Sequence, residues 1–164
     1  MRATRFVVAT LIAVALPALG AAQTPATPPL SHEVQILSAA RLAAISDSLP
    51  PGAINSVAIA RWDGLSNMIG RRDSDGVPER HEGFSDIFVV QRGSATLRYG
   101  GTTDGEKLTT AGEWRGGTIR NGSESVLHPG DVVVIPAGIP HQLLPGTGEH
   151  FIYVTFKVAK APQH

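Results

Sequence analysis

A chain of 164 residues, 42% hydrophobic and 17% charged, is long enough for one domain with a packed core and too apolar to be disordered or fibrous. Its 14 basic residues match its 14 acidic ones, so the basic excess expected of a nucleic-acid binder or of a protein held on anionic membranes is missing. With no cysteine, disulfides, thiolate ligands and thiol nucleophiles are excluded, and the fold must rest on core packing.

Residues 1–22 have the grammar of a secretory signal. Arg2 and Arg5 supply the charge, Phe6 to Leu19 the apolar stretch, and Gly20, Ala21 and Ala22 a small-residue exit. The apolar stretch is short for a membrane span, which makes an uncleaved anchor the lesser reading. The expectation is export to a periplasmic or extracellular space, with cleavage after Ala22 and no membrane attachment afterwards. Losing Arg2 and Arg5 leaves an acidic excess of two.

Residues 23–30 form a Pro/Thr/Ala linker that is not expected to pack. Ser31 then suits a helix cap and Glu33 the first turn. Val34, Leu37, Leu42, Ile45 and Leu49 give an apolar face until Pro50, Pro51 and Gly52, so the spacing predicts a helix over 31–49. From residue 53 to 158 the grammar is β-type. Strands are expected near 56–62, 67–72, 84–91, 95–99, 107–110, 123–127, 131–135, 141–144 and 151–158, with a short tail over 159–164. Asp104-Gly105 reads as a two-residue hairpin turn, and Gly100-Gly101 as a bend in the same ribbon. Short strands about ten residues apart, with no helices alternating between them, point to an all-β sandwich or closed barrel.

Two strand-turn pieces each deliver a histidine. In Gly130 to His141 a β-branched run ends at Pro136, Gly138 and Pro140, a tight corner that presents His141 at the start of the next strand. Upstream, Glu79 and His81 are two apart and share a strand face, while Arg80 and Glu82 look away. Asp86 falls at odd separation from them, so the chain must bend, and Gly83 offers the bend. From Asp86 the inward set continues through Phe88 and Val90, which puts a carboxylate at the end of an apolar row, where it needs a partner. Two imidazoles with one or two carboxylates suit Fe(II), Mn(II), Ni(II) or Zn(II). The same side chains alternatively form a hydrogen-bonded cluster without metal.

These motifs resemble those of the cupin family. Gly130, Pro136, Gly138 and His141 keep the spacing of its second motif, with Pro145 where asparagine is usual. His81, Asp86 and Gly93 keep the spacing of its first motif, with Asp86 in place of glutamate and Glu79 in place of the first histidine. The resemblance implies a double-stranded β-helix (jelly-roll) barrel and a divalent metal on His81, Asp86 and His141, with Glu79 as a fourth ligand or a general base. Aspartate is one methylene short, so a water bridge to the ion is one expectation.

Two functions follow. One is an exported cupin-domain protein binding a metal and a small organic ligand inside the barrel, in its catalytic form a dioxygenase, isomerase or lyase. The other is a non-catalytic, metal-free binding or sensory module. The apolar segment 151–156, read as an exposed edge, adds the expectation of a homodimer. His128 and His150 read as turn or cap histidines, His32 and His164 lie outside the barrel, and Arg115 reads as a surface ion pair or an anion contact with Glu113 competing for it. A helical zinc-protease motif is excluded because Ser85 stands where it needs histidine. Nucleophile-elbow, phosphate-loop and dinucleotide motifs are missing too.

Overall fold

In the computed structural model, residues 28–146, 148 and 150–161 are described. The expected signal segment 1–22, most of the linker, and the last three residues of the tail with His164 lie outside them. One helix, α1 (Ala39–Ser48), precedes thirteen strands. These are β1 (Asn55–Trp62), β2 (Leu65–Arg72), β3 (Glu79–His81), β4 (Phe84–Arg92), β5 (Ala95–Tyr99), β6 (Thr102–Asp104), β7 (Lys107–Thr110), β8 (Glu113–Arg115), β9 (Thr118–Arg120), β10 (Ser123–Leu127), β11 (Val132–Ile135), β12 (His141–Leu144) and β13 (Phe151–Ala159).

The strands pair antiparallel in a five-stranded sheet ordered β1-β2-β13-β4-β11, a six-stranded sheet ordered β10-β5-β12-β3-β8-β7, and a small β6-β9 pair. From β2 to β5 and again from β10 to β13 chain neighbours alternate between the two large sheets, the winding of a double-stranded β-helix. Alternation along β4 turns Asp86, Phe88 and Val90 inward, and the same rule turns Phe151 and Tyr153 inward from β13. They meet Ala95, Leu97, Leu127, Ile135 and Leu143 in the core between the sheets.

A second apolar cluster covers the outer face of the five-stranded sheet, where Leu42, Ile45 and Leu49 of the helical segment pack on Ile69, Ile152 and Val154. It makes β13 buried on both faces. β13 also pairs with β2 on one side and β4 on the other, so Phe151 to Phe156 form a central strand. The exposed edge expected there does not exist. The sheet edges are β1, β11, β10 and β7 instead.

The helix starts later than its spacing predicts. Ser38, not Ser31, is the cap: its Oγ accepts the Arg41 N–H at 3.2 Å, and Ser31 Oγ instead accepts from Glu33 N–H. Val34 and Ile36 are 92% and 82% exposed, so no apolar face extends the helix backwards, and a ten-residue helix depends on packing for most of its stability. The end of the linker does dock. Leu30 bridges Arg61, and Ser31 N–H donates to the Arg61 carbonyl at 2.7 Å, using the open edge of β1.

The Asp104-Gly105 hairpin does not form. Of that pair only Gly105 has positive φ, and β6 pairs with β9 rather than with the strand that follows it. Gly100 and Gly101, both at positive φ, do turn the chain out of β5. Among the described residues no helix is long and apolar enough to cross a membrane.

Candidate metal centre

The corner between β11 and β12 is built as its residues require. Gly138 sits at φ +85°, Ile139 N–H donates to the Pro136 carbonyl at 3.2 Å, and Gly138 N–H donates to the His81 carbonyl at 2.7 Å. That last bond ties one histidine-bearing segment to the other. β12 lies between β3 and β5, so His141 faces Glu79 across the ladder, and His81 follows two residues on with its side chain on the same face. From the opposite sheet β4 brings in Asp86.

All four residues singled out by sequence therefore converge. Asp86 Oδ2 lies 3.3 Å from His81 Nε2 and 3.6 Å from His141 Nε2, and Glu79 Oε2 lies 3.8 Å from His81 Nε2. Ligand atoms of Glu79, His81 and His141 fall within 4.8 Å of one another. His81, Asp86 and His141 are buried. Phe84 stacks on His81 with ring centroids 4.4 Å apart, and Phe88 meets His141 edge-on at 6.0 Å.

The outer nitrogens of the imidazoles fix their tautomers. His81 Nδ1 is 2.8 Å from Glu113 Oε2 and His141 Nδ1 is 3.1 Å from the Ile139 carbonyl; both partners only accept, so each Nδ1 carries the proton. A ring that carries only that proton turns the lone pair of its Nε2 toward the oxygen of Asp86. Two lone pairs facing a carboxylate repel unless a proton or a metal ion stands between them. His141 Nε2 is buried and has no hydrogen-bond partner. An orphaned ring nitrogen, two Nδ1–H groups anchored on acceptors, and the Glu79, His81 and His141 donors with Asp86 beside them all fit a divalent first-row ion.

Three cations surround the acids. Lys157 Nζ donates to Asp86 Oδ1 at 3.0 Å, Arg72 to Glu79 Oε1 at 2.8 Å, and Arg115 to Glu79 Oε2. Arg72 is also held by the hydroxyl of buried Tyr153 at 3.1 Å. Burial pushes Asp86 up, but hydrogen bonds from the His141 and His81 rings wherever Nε2 carries a proton, together with the Lys157 ammonium, hold it well below the usual carboxylate range. Glu79 is likewise pushed up by burial and pulled below its ordinary value by Arg115 and Arg72. Burial raises Tyr153.

Sequence reading had missed Lys157, Arg72 and Glu113 as members of this cluster. Period two along β13 carries the signal for Lys157, since Phe151, Tyr153, Thr155 and Lys157 share one face and the lysine pairs directly with Asp86. Glu113 and Arg115 are two apart on β8 and stand opposite His81 and Glu79. Arg115 thus holds a buried acid, with Glu113 only a distant competitor at 3.8 Å. His150 bonds Asp73 and Arg71 away from the cluster, and His128 is an exposed turn residue. Tyr153 is core, while Trp114 donates its indole N–H to Glu82 and carries the Arg80 guanidinium on its face.

Two cavities lie outside the cluster, and none of its four candidate ligands lines either of them. One of about 380 Å³ includes Phe84 and Lys157 in its wall. The other, a groove of about 650 Å³ between β10 and β11, is lined by Tyr99, Pro136 and Ile139 beside His141 and by no charged residue.

No family model matches the chain, and neither does any curated protein sequence. Solved structures do match. An uncharacterized conserved protein with a double-stranded β-helix domain from Klebsiella pneumoniae is 17% identical, over 77% of this chain and 90% of that one, at a TM-score of 0.53. A Bacillus halodurans protein is 16% identical, over 73% and 81%, at 0.51. Salicylate 1,2-dioxygenase from Pseudoaminobacter salicylatoxidans matches at 16% identity and 0.47, over 65% of this chain and 25% of that one, a likeness too shallow to transfer its reaction. The strand winding, the two glycine-cornered motifs and the first two likenesses agree: this is the cupin fold.

Proposed function

We propose that this cupin-fold protein is exported, binds one divalent first-row metal through His81, His141, Asp86 and Glu79, and accepts a small organic ligand beside it. The observation that carries the reading is the pair of imidazoles whose Nδ1–H groups are anchored by Glu113 and Ile139, leaving both Nε2 atoms bare against Asp86. Once bound, such an ion supplies Lewis acidity and open positions for an oxygen ligand, the chemistry shared by dioxygenases, isomerases and lyases.

What the chain's own residues do is position and shield. Glu113 and Ile139 orient the rings, Lys157 holds Asp86 in place through its other oxygen, and Phe84 and Phe88 keep water from the ring faces. The test is metal analysis of protein purified from its native compartment. Near-stoichiometric Fe, Mn, Ni or Zn is expected, lost in His81→Ala and in His141→Ala; protein that is metal-free and cannot be reloaded overturns the reading.

One observation favours the metal-free alternative. Glu79, Asp86 and Glu113 are already balanced by Arg72, Arg115 and Lys157, so a proton between Asp86 and an imidazole also settles the cluster. A thermal-shift screen separates the two. A small molecule that stabilises the demetallated protein without being converted supports a binding module.

A further inference from the structure

We infer that Arg115 couples metal binding at this centre to the binding of an anionic ligand, a carboxylate being the class that fits, an inference that rests on the metal reading above. The two acids differ in what they must give up. Asp86 offers Oδ2 to the imidazoles while Lys157 keeps Oδ1, so it can ligate without losing its partner. Glu79 has no such spare atom: Arg72 holds Oε1 and Arg115 holds Oε2, the oxygen that faces His81.

Of those two guanidiniums only one can leave. The Arg72 side chain is 6% exposed and pinned by Tyr153, whereas that of Arg115 is 42% exposed at the end of β8, next to Gly116 and Gly117. An ion that takes Glu79 Oε2 therefore competes with Arg115 for that oxygen. The loosened head then sits at the rim of the site, with Glu113 in reach at 3.8 Å only through the oxygen that already bonds His81.

Charge sets the class of what replaces Glu79. Three carboxylates and three cations leave the cluster neutral, and both rings are neutral ligands, so a divalent ion adds two uncompensated charges among ligands that are 13% exposed or less. Uncompensated charge in so dry a place is costly. A carboxylate from outside answers both needs at once: it cancels one of the ion's two charges and pairs two oxygens with the freed guanidinium. A neutral ligand answers neither.

The probe is Co(II), titrated calorimetrically in a non-coordinating neutral buffer with acetate or its neutral isostere acetamide. Acetate is expected to tighten Co(II) binding about tenfold, within the usual range of coupling between sites, and acetamide to leave it unchanged. In Arg115→Gln, Co(II) is expected to bind more tightly in plain buffer, since Glu79 is released in advance, and to respond little to acetate. Co(II) binding that ignores acetate in the wild type, or an acetate response kept in full by Arg115→Gln, overturns the inference while leaving the metal centre standing. No Co(II) binding at all overturns the metal centre and this coupling with it. The wild-type comparison of acetate with acetamide needs no variant to fold.

Discussion

Replacing Glu113 by leucine separates a histidine that is a ligand from one that is merely buried. Glu113 fixes the proton of His81 on Nδ1 through a 2.8 Å contact. Leucine keeps the bulk and removes the acceptor. His81 can then move its proton to Nε2 and donate to Asp86 Oδ2, 3.3 Å away, which takes from the site one of its two ring lone pairs. Binding metal now requires that proton to move back. A hydrogen bond to a charged acceptor is worth roughly 1.5–3 kcal/mol. With its side chain still 23% exposed to water, Glu113 belongs near the lower end, about 1.5 kcal/mol, or about tenfold in affinity. The affinity of the variant for Zn(II), measured by competition with a chelating dye, is expected to fall by that factor. Its melting temperature without metal should barely change, because one hydrogen bond replaces another. Nitrogen-detected NMR of the imidazoles reports the tautomer directly. Unchanged Zn(II) affinity with His81 shown to be Nε2–H would refute the argument, since ligation would then not depend on the lone pair.

Gly138→Ala places a Cβ in open space at φ +85°, so only backbone strain opposes it, and chemical denaturation should show a loss of about 1–2 kcal/mol. Gly93→Ala adds to positive φ a contact of 2.3 Å with the His150 carbonyl; little soluble folded protein is expected, measured by circular dichroism of the purified chain. Asp86 and Glu79 both sit below their ordinary values, so their contribution to stability is fully present above about pH 5 and is lost as pH falls further. Urea titrations of the metal-free protein between pH 6 and pH 2 should show this decline, and a shallower one in Asp86→Asn. Protein recovered from an exporting host is expected to begin at Gln23 by mass spectrometry; an intact Met1 refutes export by cleavage.

Elements whose side chains alternate over four or more residues were legible from sequence, and those that exist only through a partner were not. β3 has three residues between Pro78 and Glu82, and β8 has Glu113, Trp114 and Arg115, with no apolar alternation in either. Both are strands because each supplies the other's ladder, His81 opposite Glu113 and Glu79 opposite Arg115. The first turn assigned to the helix failed for the converse reason: local capping chemistry at Ser31 and Glu33 is real, but no sheet lies beneath Val34 to repay a helix there. Glu79, Asp86 and the two histidines of the site were visible because glycine and proline corners mark their spacing. Its cations were not, since no local rule says that Lys157 and Arg72 point at acids 71 and seven residues away.

Those cations give a physical reason why acids can stand where the cupin motif has a histidine and a longer carboxylate. A glutamate at 79 with no counter-charge would be a buried anion beside Asp86, and one of the two would have to take up a proton. Arg72 and Arg115 clamp it from both sides, and Arg72 is fixed in turn by Tyr153 from the core. Aspartate at 86, though short, reaches both imidazoles because β13 brings Lys157 against its outer oxygen and the pairing of Lys157 with Asp86 across the ladder leaves the inner oxygen no other direction. Acid and cation at each position form one unit, so removing either alone strands a buried charge, while the pair leaves two bare ring nitrogens facing an anion. That arrangement is balanced in charge and unbalanced in hydrogen bonds, and a cation placed between the rings corrects the second fault only by creating the need for a further anion.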